Sequence, residues 1–170
     1  MTESLVNIFL NLFEGFNHLA CGKELIIFII SLMPILELRG GLIAASLLGV
    51  NPVVSFIICF IGNILPIPFI LWFITPIFNW LKHTKHLRGL VEKLEAKADK
   101  KKEQIEKSEF WGLLFFVGIP LPGTGAWTGT LIASLLNMNK KKALVASILG
   151  VVLAGAIMML FSFGLLKSVI

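Results

Sequence analysis

The chain has 170 residues, of which 56% are hydrophobic and 15% charged, against ~25% charged in soluble domains. Its mean hydropathy is +0.90, and apolar runs long enough to enter a bilayer recur along it. This excludes an ordinary soluble domain and marks an all-α integral membrane protein, read as a single membrane domain over 1–170. The net charge of +5 is uneven, with nine of the fifteen Lys and Arg between Lys82 and Lys107 and three more at Lys140, Lys141 and Lys142. Met-Thr-Glu at the start lacks the basic region of a signal peptide. Cys21 and Cys59 form no disulfide framework.

Residues 4–19 predict an amphipathic helix. Leu5, Ile8, Phe9, Leu12, Phe13 and Phe16 lie on its apolar surface, and Asn7, Asn11, Glu14 and His18 form a polar stripe. Lying in the interface suits this helix better than spanning, which would bury Glu14 near the middle. Residues 25–48 are long enough to cross but carry Pro34, Glu37, Arg39, Gly40 and Gly41 inside the apolar run. A kinked span and a re-entrant hairpin of two half-helices are the two readings. Residues 53–80 form a long span that contains Asn63, Pro66, Pro68 and Pro76, with Trp72 and Trp80 toward its end as an aromatic belt.

Residues 83–107 are the extended hydrophilic segment. Leu87, Leu90, Val91, Leu94, Ala98 and Ile105 mark one face of a cytoplasmic helix suited to contact with membrane lipid. Its charges are mixed and no binding module accompanies them, so nucleic acid is not expected as a partner. Residues 110–138 are a second broken segment, with Pro120, Pro122, Gly123, Gly125 and Gly129, and 143–166 are the last span. Gly150, Ala154, Gly155 and Gly164 allow close helix packing there, which leaves a homo-oligomer open.

Shifted by 88 positions, the halves match. Pro34 falls on Pro122, Gly41 on Gly129, Ala45–Leu48 on Ala133–Leu136, Asn51 on Asn139 and Gly62 on Gly150. Repeat one is then 4–80. The lysines at 107 and 140–142 flank the second broken segment and place both its ends in the cytoplasm, which makes it a hairpin. The first hairpin, separated from it by one span, should enter from the opposite face. The expected architecture is thus an inverted repeat of amphipathic helix, re-entrant helical hairpin and transmembrane helix, the hairpins meeting near the midplane.

In that geometry the second half-helices begin near Gly40 and Gly129, and their N-termini favour anions. Thr124, Trp127, Thr128 and Thr130 would add donors on the second side, and Arg39 can fork onto a phosphate or carboxylate. Glu37 is either a fixed partner of Arg39 or a proton acceptor coupled to transport. The i, i+2 spacing separates the two charges on a regular helix, so they meet only where the backbone is irregular. Asn63 is a weaker candidate, since an amide in a span usually bonds another helix. His83 and His86 lack companions at ligand spacing, so no metal site and no cofactor are expected. No nucleophile–base constellation is present, and an enzyme is not expected.

At Pro34-Ile-Leu-Glu-Leu-Arg-Gly-Gly and Gly118-Ile-Pro-Leu-Pro-Gly-Thr-Gly the chain resembles the bacterial small multi-drug export proteins over nearly its whole length. It is more distantly similar to the DedA membrane proteins, whose superfamily includes eukaryotic lipid scramblases. That resemblance implies opposed re-entrant hairpins, translocation of undecaprenyl phosphate or phospholipid, and dependence on the proton-motive force. It also implies a multi-pass protein of the bacterial cell (inner) membrane. Glu37 and Arg39 stand for the first-hairpin charges and Pro122-Gly123 for the second turn, but the arginines that flank that turn in DedA proteins are absent here.

The expected function is a small transporter or lipid translocase (flippase) that moves an anionic, lipid-linked phosphate, with protons as a coupling partner. Export of small cationic compounds bound at Glu37, and a non-transporting membrane scaffold, are the alternatives.

Overall fold

The computed structural model describes residues 21–82 and 109–165, together with Val6 and Ile8. The amphipathic helices expected at 4–19 and 83–107 otherwise lie outside the described residues. Those residues are helical, with no strand among them. Helices α1 (Gly22–Leu32) and α2 (Glu37–Leu47) precede α3 (Pro52–Ile64) and α4 (Pro66–Lys82). Then come α5 (Glu109–Gly118), α6 (Ala126–Leu135) and α7 (Lys140–Met159), and α7 runs into a π-helical turn at Leu160–Leu165.

Two stretches are long and apolar enough to cross a bilayer. One is Pro52–Ile74, 23 residues with mean hydropathy 2.3; the other is Lys140–Gly164, 25 residues with mean hydropathy 2.6. At 1.5 Å per residue each exceeds the ~30 Å hydrocarbon thickness. The helices α1, α2, α5 and α6 have 10 or 11 residues and reach only about half that depth, where a crossing takes ~20.

The first break follows from Pro34. A residue before proline is pushed out of the helical region, and Met33 is extended (φ −77°, ψ 139°). The prolines of the first span act differently. Pro66 and Pro68 occupy the first turn of α4, where a missing N–H is tolerated, and Leu65 stays helical (φ −53°, ψ −42°). The apolar run therefore continues through them.

The outer ends of α2 and α6 share one device at an offset of 88 residues. Gly49 (φ +68°) and Asn137 (φ +54°) are left-handed. The Val50 and Met138 N–H groups donate to the carbonyls of Ala45 and Ala133, both at 3.0 Å, and Gly49 and Asn137 donate to Ser46 and Ser134, both at 3.2 Å. These are Schellman closures, which satisfy carbonyls orphaned at a helix end. The next helix starts at once. Asn51 Oδ1 accepts from the N–H groups of Val53 and Val54, and Asn139 Oδ1 from those of Lys141 and Lys142, as N-caps do. The Ala-Ser-Leu-Leu and Asn matches between the halves thus encode a stop and a restart.

By contact the chain falls into two compact units, residues 1–65 with 151–170, and residues 66–150. In the first, α1 packs on α2 and α3, and α2 packs on α3. The Lys23 ammonium, at the start of α1, donates to the Leu48 carbonyl just past α2 (2.9 Å), so these two ends lie at one level and the pair is antiparallel. Ile26, Ile27, Ile30, Leu38 and Leu42 are fully buried there. Ser46 Oγ ties α2 to the π-helical turn by donating to the Ser162 carbonyl (2.6 Å). In the second unit, α6 packs on α4 and α5.

Glycines set the closest approaches. A Cβ on Gly62 would fall 3.0 Å from the Phe28 carbonyl oxygen, and one on Gly150 would fall 2.8 Å from that of Leu114. Gly155 faces the Phe56 ring, and Ala154 is buried. Gly62, Gly150 and Gly155 are thus in contact within the chain. We predict that Gly62→Ala and Gly150→Ala each lower stability in detergent by about 1–3 kcal/mol through overpacking. Gly164→Ala, with nothing within 4 Å of the new methyl, should leave thermal unfolding near wild type.

Candidate functional site

The first break places Glu37 at the first position of α2 with a left-handed backbone (φ +51°). Few side chains other than Asn, Asp and Gly adopt this conformation, and it costs about 1–3 kcal/mol when imposed. The residue is only 5% exposed. A carboxylate in a helix's first turn is favoured by the helix dipole, but that explains the residue type and not the backbone strain. The equivalent residue 88 positions later is Gly125, also at positive φ (137°), and glycine adopts such angles without penalty. The first half thus carries a carboxylate where the second carries the residue the backbone prefers.

The irregular backbone that the i, i+2 spacing requires is therefore present, and Glu37 acts coulombically on the half-buried Arg39. Position 39 corresponds to Trp127 on α6, which is also half-buried. Both charges of the first copy are thus replaced in the second, one by glycine and one by an indole.

The second half-helices begin at Glu37 and Ala126, three residues before the expected Gly40 and Gly129. Gly40 and Gly41 consequently lie inside α2, where they serve packing. A Cβ on Gly41 would overlap Ser31 Oγ and sit 2.7 Å from Cys59 Sγ, and one on Gly40 would sit 2.7 Å from Leu36 Cβ. The N–H of Glu37 donates to the Met33 carbonyl (2.9 Å) and that of Gly40 to Leu36 (2.8 Å). Two donors of the first turn are thus taken within the break.

The remaining candidates divide. Pro34 is exposed at the first tip beside Ile35, which is 79% exposed; Pro122, Gly123 and Leu121 are exposed at the second, and Pro120 is half-exposed there. The Thr124 hydroxyl is used by its own turn, donating to the Ile119 and Leu121 carbonyls (2.9 and 2.8 Å). Thr130 is buried and donates back to the Ala126 carbonyl. Both hydroxyls lie within reach of a local carbonyl and donate to it. Thr128 and Trp127 are half-buried on α6.

Asn63, on α3, is 3% exposed, and its Oδ1 has no hydrogen-bond partner among the described residues. A buried acceptor left unpaired costs about 1–3 kcal/mol. Sequence reasoning missed Ser31, whose hydroxyl donates to the Ile27 carbonyl (2.7 Å) and bonds the Cys59 thiol. A serine in an apolar run carries no signal by itself; its contact with a residue 28 positions away is a product of packing.

Residues 37–157 match the family described as "Putative small multi-drug export protein". The chain belongs to this family. The match begins at Glu37, just past the first tip, and takes in the second tip, the whole of the first span and most of the second. No curated protein and no solved structure matches the chain. The family description is that of a membrane transporter, in agreement with the two apolar spans.

The strain at Glu37 gives a direct prediction. Glu37→Gly and Glu37→Ala both remove the carboxylate, but only alanine keeps a Cβ at φ +51°. The glycine variant should be the more stable by about 1 kcal/mol in detergent unfolding. Equal stabilities would show that the backbone at 37 relaxes.

Proposed function

We propose that this family member is a multi-pass transporter of the bacterial cell (inner) membrane that moves an anionic, lipid-linked phosphate group. The observation that carries this reading is the buried Glu37, held in a left-handed conformation beside Arg39 at a helix break. An ionised residue at membrane depth costs at least ~2.5–3.5 kcal/mol on insertion scales and marks a substrate or ion path. In this reading Arg39 forks onto the phosphate, and Glu37 compensates Arg39 when no substrate is bound and couples the cycle to protons. The exposed apolar tips at Ile35 and Leu121 give an acyl or polyprenyl chain a surface outside the polar site.

The topology that supports it is an inverted repeat. Each pair, α1–α2 and α5–α6, is a re-entrant hairpin, because helices of this length reach only mid-membrane. With one span between the pairs, they enter from opposite faces. Broken helices at membrane depth are tolerated where they line a cavity, and the DedA resemblance at Pro34–Gly41 and Pro122-Gly123 points the same way. The activity is movement without a chemical step.

The family description favours a second reading, export of small compounds. There Glu37 binds a cationic substrate and Arg39 holds the carboxylate between cycles.

Both readings are tested in proteoliposomes. With a fluorescent polyprenyl phosphate, wild type should translocate the lipid. Arg39→Ala should slow it by about tenfold or more, the equivalent of one lost charge-assisted contact, and Glu37→Gln should abolish any response to a pH gradient. If Arg39→Ala matches wild type, the phosphate reading fails. Uptake of a fluorescent cation that is lost in Glu37→Gln and kept in Arg39→Ala would establish the second.

A further inference from the structure

We propose that the first unit binds a sodium ion at the break, between the Asn63 amide oxygen, the Glu37 carboxylate and backbone carbonyls at the end of α3. The primary observation is Asn63 Oδ1, in a side chain 3% exposed and with no hydrogen-bond partner among the described residues. Buried polar atoms of this kind are matched in proteins by a partner, a water or an ion.

The register of the helices says what lies beside it. Helices α2 and α3 pack together and are joined by the tight Leu48–Asn51 turn, so they run antiparallel. The Cys59 sulfur lies 2.7 Å from the Cβ position of Gly41, which turns the Cys59 face of α3 toward α2. One helical turn further along α3, on that face, is Asn63; one turn back along α2 is Glu37. Asn63, with its orphan amide oxygen, and Glu37 therefore lie at one level of the α2–α3 pair.

Two further oxygens belong to this level. Pro66 and Pro68 have no N–H, so the carbonyls of Gly62 and Ile64 lack their intrahelical donors. The C-terminal end of α1, which carries the negative end of its dipole, stops at the same break. Carboxylate, amide and freed carbonyl oxygens suit a hard cation, and carbonyls at broken helices coordinate Na⁺ in transporters built this way. No group of three His, Cys, Asp or Glu exists among the described residues, so a transition metal is not favoured. Gly41 and Gly62 bring the helices together beside the site, which suits the smaller Na⁺ over K⁺.

Arg39 makes the site conditional. Its charge and a sodium ion compete for Glu37, and at low dielectric that competition is strong. An anionic substrate that draws on Arg39 releases Glu37 to the ion, so anion and cation bind cooperatively. This coupling rests on the phosphate reading above; the ion site does not.

The test therefore uses purified protein in detergent without substrate, and follows Tm as NaCl replaces KCl or choline chloride at constant ionic strength. A ligand that binds only the folded state raises Tm in a saturable way. Wild type should show a rise specific to Na⁺, and Asn63→Ala should lose about tenfold or more in apparent Na⁺ affinity, as metal sites do when a supporting group is removed. Arg39→Gln should shift the response to lower Na⁺. Should Asn63→Ala fail to fold, Asn63→Asp, which keeps an oxygen at the position, must retain the rise. An equal response to K⁺, no response in wild type, an unaltered Asn63→Ala or a weakened Arg39→Gln would each overturn the site. Because no transport is measured, failure of the phosphate reading would leave this result standing.

Discussion

A helix that stops inside a membrane leaves up to four carbonyls and four N–H groups without intrahelical partners, and hydrocarbon offers none. Four of the described helices are singly too short to cross, and the ends that the structure describes find partners within the chain. The outer ends of α2 and α6 are closed by Schellman pairs followed at once by asparagine caps. The inner ends are handled differently in the two halves. At the second tip Thr124 gathers the Ile119 and Leu121 carbonyls and Gly125 takes up the awkward backbone angle. At the first tip the equivalent position is Glu37, also at positive φ (51°).

This asymmetry within a repeated frame is the main argument for function. A structural role alone would be met by glycine at position 37, as it is at 125, and by an apolar or aromatic side chain at 39, as Trp127 shows. The first half instead carries a buried carboxylate and a guanidinium, and on α3 an asparagine whose oxygen has no hydrogen-bond partner among the described residues. Belonging to a family described as small exporters fits a polar centre of this kind.

Much of the frame was legible in the sequence, because covalent chemistry dictates it. Pro34 forces Met33 out of the helix, and the Ala-Ser-Leu-Leu and Asn repeat is the signature of a stop and a restart. The charges at 37 and 39 stood out because such residues are rare in apolar runs. Other features were misread for identifiable reasons. Gly40 and Gly41 looked like turn residues but provide close contact with Ser31 and Cys59, a requirement set by neighbours distant in sequence. The Ser46–Ser162 link spans 116 positions and had no local signal at all.

The account depends most on the claim that α1–α2 and α5–α6 each enter and leave the membrane on one side, from opposite faces. Single cysteines at positions 23, 51, 109 and 139, in a background without Cys21 and Cys59, can be labelled in sealed vesicles of known orientation with a membrane-impermeant maleimide. The account predicts that 23 and 51 react from one side and 109 and 139 from the other. Labelling of 23 and 51 from opposite sides would make the first pair a kinked span, and would contradict the re-entrant site built around Glu37.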